Sequence, residues 1–349
     1  MSPQVLLAEA DLPKLLERLT ADYRVLAPTC DPPGEPVFAP YPFPAERLCV
    51  ARVRTVEPLK AFLFAARQKV VDGFEPPPPG DGAKPLCLVG VKACDLQGLA
   101  TLDHVFLGEN GDRDPFYARF REQTLLISAD CAAPRPTCFC VAYDTEPHPE
   151  TGFDVNLSPV EGGYLVLAGS PRGEQVLAAH GELFGSAGPV EIEVQKSSRT
   201  QAQEVVRRNL EEHAVPHHSQ LDGAVERAYE APLWEEEAAT CVECGACNTI
   251  CPTCHCFLLF DQGGKDEFAR FRTWDACLLK DFARVAGGGN PRPRLWQRLR
   301  NRFEKKFDFF PKVAGHHACT GCGRCIETCP ARIDIRRVLR KAIDHVSRA

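Results

Sequence analysis

No stretch of this 349-residue chain approaches the roughly 18 consecutive apolar residues that a membrane span requires. Residues Met1 to Leu7 show no basic n-region, no twin arginine and no small-residue cleavage site. Neither a P-loop nor a G-x-G-x-x-G fingerprint occurs, and the glycine loop Gly287-Gly288-Gly289-Asn290 has no predicted strand leading into it. These absences imply a soluble chain without direct membrane contact and without a flavin or nucleotide site of its own; the reduced thiolates read below add a cytoplasmic location. A chain of that kind has no hydride acceptor of its own. The hydrophobic and charged fractions, 44% and 25%, are those of a globular protein, and the length suits two domains.

Cysteine is abundant instead: there are 18. In a small secreted chain that number would indicate disulfides, but eight of them fall in a spacing that requires reduced thiolates. Cys241, Cys244, Cys247 and Cys251 precede Pro252, and Cys319, Cys322, Cys325 and Cys329 precede Pro330. Each block reads C-x2-C-x2-C-x3-C-P, the pattern of two-cluster ferredoxins, in which the fourth cysteine of each block serves the other cluster. The expected ligand sets are therefore Cys241, Cys244, Cys247 and Cys329 for one [4Fe–4S] cluster, and Cys319, Cys322, Cys325 and Cys251 for the second. Zinc is the rival, since C-x2-C pairs also build zinc ribbons, but a zinc needs only four ligands in all.

A second constellation comprises Cys94, Cys131, Cys138 and Cys140. Leu86 to Val91 and Leu125 to Ala129 read as buried strands, and if they are neighbours Cys94 and Cys131 leave the sheet at one edge, with Cys138 and Cys140 on the next loop. Four thiols there could hold a third [4Fe–4S] cluster or a zinc, or simply pack as small hydrophobes. Cys254, Cys256 and Cys277 read as residues that shield a cluster or donate hydrogen bonds to it rather than as ligands, although a further metal shared with His255 is an alternative. Cys30, Cys49 and Cys87 read as packing residues. His213 and His217 have helical i, i+4 spacing, but Pro216 interrupts the helix, and His213, His217 and His218 read as a solvated surface. His316 and His317 carry no ligand expectation.

Pro291 to Lys312 holds eight basic residues against Glu304 and Asp308. With aromatics between them they could suggest nucleic acid, but beside cluster motifs they read as a face for an acidic partner or as a solvated helix, with no nucleic acid bound. Glu235, Glu236 and Glu237 form an acidic patch. Helices are expected over Asp11 to Tyr23, Pro58 to Val71, Arg199 to Tyr229, Asp275 to Ala286, Leu295 to Lys306 and Ile333 to Val346. Strands are expected over Val155 to Leu157, Tyr164 to Ala168 and Val190 to Val194, and proline-rich loops at 32–34 and 75–82. The fold class is α+β: a mixed α/β domain over 1–195, a helical bridge over 196–232, and an α-helical ferredoxin-type domain with two [4Fe–4S] clusters over 233–349. The 67 residues between the cysteine blocks, from Pro252 to Ala318, are too many for a compact ferredoxin and are expected to add structure dominated by helix.

Val89 to Leu99, Cys131 with Cys138-Phe139-Cys140, Trp234 to Cys256, and Trp274-Asp275-Ala276-Cys277 together resemble the iron–sulfur beta subunit of cytoplasmic [NiFe] hydrogenases of the sulfhydrogenase type. The corresponding electron-transfer chain of anaerobic sulfite reductase shares this architecture. The resemblance implies a relay between a flavin subunit that uses NAD(P)H and a catalytic partner, the hydrogenase small subunit or a sirohaem subunit. It also implies that Cys94, Cys131, Cys138 and Cys140 are family positions. A reading from a different class is a self-contained disulfide or sulfur reductase using Cys254, Cys256 and Cys277.

Overall fold

The computed structural model describes residues 4–30, 34–73, 75, 84–108, 113–264 and 268–348. The apolar runs Leu86–Val91 and Leu125–Ala129 are buried along their whole length, as expected of central strands covered on both faces. They are β5 and β6 of an eight-stranded sheet. The other members are β1 (Val5–Ala8), β2 (Arg24–Thr29), β3 (Val37–Pro40), β7 (Val155–Val160), β8 (Gly163–Ala168) and β9 (Phe184–Ser186), in the order β3-β2-β5-β6-β7-β8-β1-β9. Strands β2, β5, β6 and β7 run parallel, and antiparallel strands flank them on both sides. One face packs on the Leu12–Leu19 helix through Leu12, Leu15, Leu16 and Leu19, and the other on the Ala93–Phe106 helix through Leu96, Leu99 and Leu102.

The segment between the cysteine blocks has the expected helix at Leu295–Glu304 but departs from the helical expectation before it. Residues Phe257–Gly263 and Phe268–Trp274 form a hairpin, β10 and β11, and β11 pairs with β4 (Arg67–Asp72) from the N-terminal part. Strand β4 occupies part of the stretch expected as helix over 58–71, where only Lys60–Leu63 is helical. Residues 275–286 are turns rather than helix. The expected strand at 190–194 is instead the start of the Pro189–Glu212 helix. Pro189 opens that helix, and the Glu191 carboxylate accepts the Gly188 N–H (2.9 Å), so a cap outweighs a short alternation. The first helix stops at Leu19, short of Tyr23. Pro32, Pro33 and residues 76–82 of the expected proline-rich loops lie outside the described residues.

A third core serves the cysteine blocks. Trp234, Leu299, Phe303, Phe307, Val338 and Leu339 join the Leu295–Glu304 and Ile335–Arg348 helices beneath both loops. Cys30 and Cys49, expected to be packing residues, form a disulfide. The buried Arg324 guanidinium ties the two halves together: it meets the Asp95 carboxylate at 2.8 and 2.9 Å and donates to the carbonyls of Thr55, Val56 and Glu57. Asp95 follows Cys94 and Arg324 precedes Cys325, so the pair also holds two cysteine-bearing helix starts against each other.

Candidate cluster sites

The two cysteine blocks fold the same way. Glu243 and Gly321, each two residues after the first cysteine, have φ of 57° and 62°. Gly245 and Gly323, two residues further on, have φ of 69° and 76° and begin single-turn helices, Ala246–Thr249 and Arg324–Glu327. This repeated left-handed pattern curls three cysteines of each block round one side of a space. The two short helices pack against each other, which sends the fourth cysteine of each block toward the other. Cys241, Cys244, Cys247 and Cys329 line one cavity of about 40 Å³, walled by Leu299, Phe303 and Ile333. Cys251 lies among Cys319, Cys322 and Cys325, close enough that it raises the pKa of both Cys319 and Cys325. The fold thus brings together both expected sets, with the fourth residues exchanged.

Glycine at 321 and 323 has a further cause. A Cβ on Gly321 would lie 2.5 Å from the backbone of Cys140, and one on Gly323 would lie 2.5 Å from the Thr137 carbonyl. The second block therefore sits directly on the 137–140 segment, and the Phe139 N–H donates to Gly321 O (2.8 Å). Cys94, Cys131, Cys138 and Cys140 line a cavity of about 20 Å³ there, with Cys322 in its wall. Their meeting at one sheet edge is as expected: β5 and β6 are parallel neighbours, and Cys94 and Cys131 follow their C-terminal ends. Cys322 belongs to the second set and lines the third cavity, while Cys325 lines the first. The second set lies between the other two.

The basic stretch at 291–312 is only partly the solvated helix expected: Arg294, Lys305 and Lys312 are exposed, but the other cations of its helix turn inward. Arg298, Arg300, Arg302 and Lys306 are all buried. Arg298 pairs with Glu243 (2.9 Å), and Arg300 lies 3.4 Å over the Tyr229 ring. Arg302 reaches the Cys247 carbonyl (3.5 Å). Lys306, on a π-helical turn over Lys305–Phe309, donates to Cys251 Sγ (3.3 Å), Thr253 Oγ1 (2.8 Å) and Ala318 O (2.8 Å). Burial opposes the Lys306 charge, but Cys251 and Cys254 hold its ammonium well above the ordinary lysine range. Alternating charge reads as solvated in a sequence. Here the cations face inward because thiolates, and any anionic cluster they hold, need counter-charge in a dry interior.

Burial pushes four thiols up, Cys319 and Cys131 each to about 11 and Cys94 and Cys140 well above the ordinary range, whereas a hydrogen bond from Cys254 and the Lys306 charge hold Cys251 well below it. Without a metal those four groups are neutral thiols at neutral pH, and loading displaces their protons. The Ile333 N–H points at Cys329 Sγ (3.4 Å), the kind of N–H···S contact that tunes a cluster. The spacing of the sites also bears on what fits. Among the described residues, Asp144, His217 and His218 form the one trio of metal-ligating side chains whose ligand atoms all lie within 4.8 Å of one another. No three cysteine sulfurs among them approach that closely. A single tetrahedral zinc, with Zn–S of about 2.3 Å, sets its ligands only about 3.8 Å apart. The cysteine sets are wider than one ion needs, which fits a cluster.

The remaining histidines are placed by the same contacts. His213 caps the end of the Pro189–Glu212 helix, so no helical pair with His217 forms. His217 Nε2 and His218 Nε2 lie 3.1 and 2.6 Å from the Asp144 carboxylate on the surface. His317 packs on Tyr143, with ring centroids 5.9 Å apart. The acidic patch is largely paired internally: Glu237 accepts from Arg337 (2.8 Å) and pairs with Lys341 (2.9 Å), while Glu236 pairs with Lys341 (3.3 Å).

Comparison with known proteins agrees with this geometry. Residues 240–333 match the 4Fe-4S dicluster domain family, a span that contains both cysteine blocks. Sulfhydrogenase 2 subunit beta of Pyrococcus furiosus is 31% identical over 298 residues, 84% of this chain and 85% of that protein. Pyruvate-flavodoxin oxidoreductase of Trichormus variabilis is 26% identical over 105 residues, 30% of this chain but 7% of that much larger protein.

Proposed function

The chain belongs to the family of sulfhydrogenase beta subunits, and from that premise we propose that it is an electron-transfer subunit of a multisubunit oxidoreductase. It passes single electrons between a flavin subunit that uses NAD(P)H and a catalytic subunit, the small subunit of a [NiFe] hydrogenase. What supports this reading is the nearness of Cys329 to the first cysteine block and of Cys251 to the second, on two loops that share one left-handed φ pattern. Bound in these sites, and in the third formed by Cys94, Cys131, Cys138 and Cys140, a [4Fe–4S] cluster supplies a one-electron couple.

The protein's own residues supply the rest. Leu299, Phe303 and Ile333 give the first site an apolar wall on its inner side, while Cys244 is exposed. Lys306 and Arg302 place positive charge where the thiolates gather, which favours an added electron. The serial arrangement, with the second site between the others, suits a relay. Among the described residues no helix is long and apolar enough to cross a membrane.

Purification of the native complex without air, followed by identification of what accompanies the chain, tests this. A flavoprotein and hydrogenase subunits are expected. A sirohaem protein would keep the relay and change its terminal reaction to sulfite reduction. A solitary chain that reduces disulfides or sulfur unaided would contradict the relay reading.

A further inference from the structure

Three thiols and one imidazole lie outside the three sites above, and the fold gathers them at one place. Cys254, His255 and Cys256 follow the first cysteine block directly, whereas Cys277 arrives only after the β10–β11 hairpin. The hairpin register, Phe257 opposite Trp274, returns the chain to its starting point, and the Asp275 N–H closes it on Cys256 O (2.9 Å). All four side chains then line one cavity of about 190 Å³, roomier than the sites of about 40 and about 20 Å³ described above. The buried Asn248 amide spans two of the sulfurs, with Nδ2 3.1 Å from Cys277 Sγ and 3.6 Å from Cys254 Sγ.

His255 is oriented as a ligand would be. Its Nδ1 lies 3.0 Å from Thr253 O, and because a carbonyl only accepts, the proton resides on Nδ1 and the lone pair on Nε2. A backbone carbonyl holding the far nitrogen is the usual support of a metal-bound imidazole. The surroundings are cationic. Lys60 Nζ donates to Asn248 O (3.2 Å) and Cys254 O (3.0 Å), and Arg302, Lys305 and Lys306 line the same cavity. Three thiolates there would have counter-charge at hand.

Resting on the reading that this chain binds iron–sulfur clusters, we propose that Cys254, Cys256, Cys277 and His255 hold a fourth centre, a [4Fe–4S] cluster with one imidazole ligand, beside the second site. Loading it displaces three thiol protons and leaves the imidazole neutral. A three-cysteine, one-histidine set is also a zinc set, but the cavity of about 190 Å³ is far roomier than a single ion needs. A neutral imidazole in place of a thiolate raises a cluster's potential, so this centre takes up an electron before the all-thiolate ones.

The test measures iron, sulfide and zinc in the full chain purified without air, in its Cys256→Ala/Cys277→Ala double variant and in His255→Ala. The double variant is expected to contain about four irons and four sulfides fewer than the wild type. The partly reduced wild type is expected to show strong coupling of an electron spin to an imidazole nitrogen, which shifts on labelling histidine with nitrogen-15 and is lost in His255→Ala. Equal iron in the wild type and the double variant overturns the proposal, as does loss of one zinc instead of iron. If the double variant does not fold, absence of the nitrogen coupling in the wild type overturns it. The reading beneath it fails separately, by a wild-type protein without iron.

Discussion

At the scale of single residues, Lys306 is the informative one. A buried ammonium that touches a cluster-site sulfur, a hydroxyl and a carbonyl has a defined electrostatic effect. A unit charge about 5 Å away at an effective dielectric of about 20 contributes about 3 kcal/mol, on the order of 100 mV for a one-electron couple. Lys306→Met is therefore expected to lower the midpoint potential of the centre held by Cys251 by that order, read by a redox titration followed by electron paramagnetic resonance. An unchanged potential would mean that the ammonium acts only structurally. The two cysteine blocks were legible in the sequence because their pattern is local: a three-residue step and a proline suffice to mark it. The inward-facing Arg298, Arg302 and Lys306 were not, because no pattern in a sequence distinguishes a cation that faces water from one that faces a thiolate.

At the scale of elements, the Ile335–Arg348 helix shows how the cluster sites are held. It is fastened to the Leu233–Ala238 helix by Glu237, which meets Arg337 and Lys341. Burial alone would raise the Glu237 pKa, but hydrogen bonds from Arg337 and Lys341 outweigh it and hold the carboxyl below the ordinary range. A depressed folded pKa contributes stability that is complete above the unfolded value of about 4.3 and is lost as pH falls through the folded one. Glu237→Gln is expected to cost about 1 kcal/mol, with half-exposed partners limiting the effect. The difference should stay constant from pH 8 to pH 5 in denaturant unfolding and shrink only below about pH 4. A difference that faded between pH 8 and pH 6 would assign the effect to another group.

Elements also explain which parts of the fold could be read in advance. Strands β5 and β6 were clear because an unbroken apolar run bounded by turns has few other uses, and their shared edge placed Cys94 beside Cys131. The 257–274 hairpin was not foreseen. Its strand β11 is completed by β4, almost two hundred residues earlier, and local pattern cannot announce such a partner. The 190–194 segment alternates for only five residues, too few to outweigh Pro189 and the Glu191 cap.

At the scale of the whole molecule, the N-terminal sheet and the cysteine loops form one device. Arg324 and Asp95 join the loop of the second block to the helix that carries Cys94, and Gly321 and Gly323 let that block press onto Cys140 and Thr137. The first and third sites thereby flank the second, an order that linear sequence does not contain. The central claim is that these thiols hold iron in cubane clusters. Mössbauer spectroscopy of the anaerobically purified protein, grown on iron-57, tests it most directly. The account predicts that nearly all the iron gives the quadrupole doublets of [4Fe–4S] clusters, at no fewer than about twelve irons per chain. Mononuclear ferrous or ferric signals, or zinc in place of iron, would contradict it.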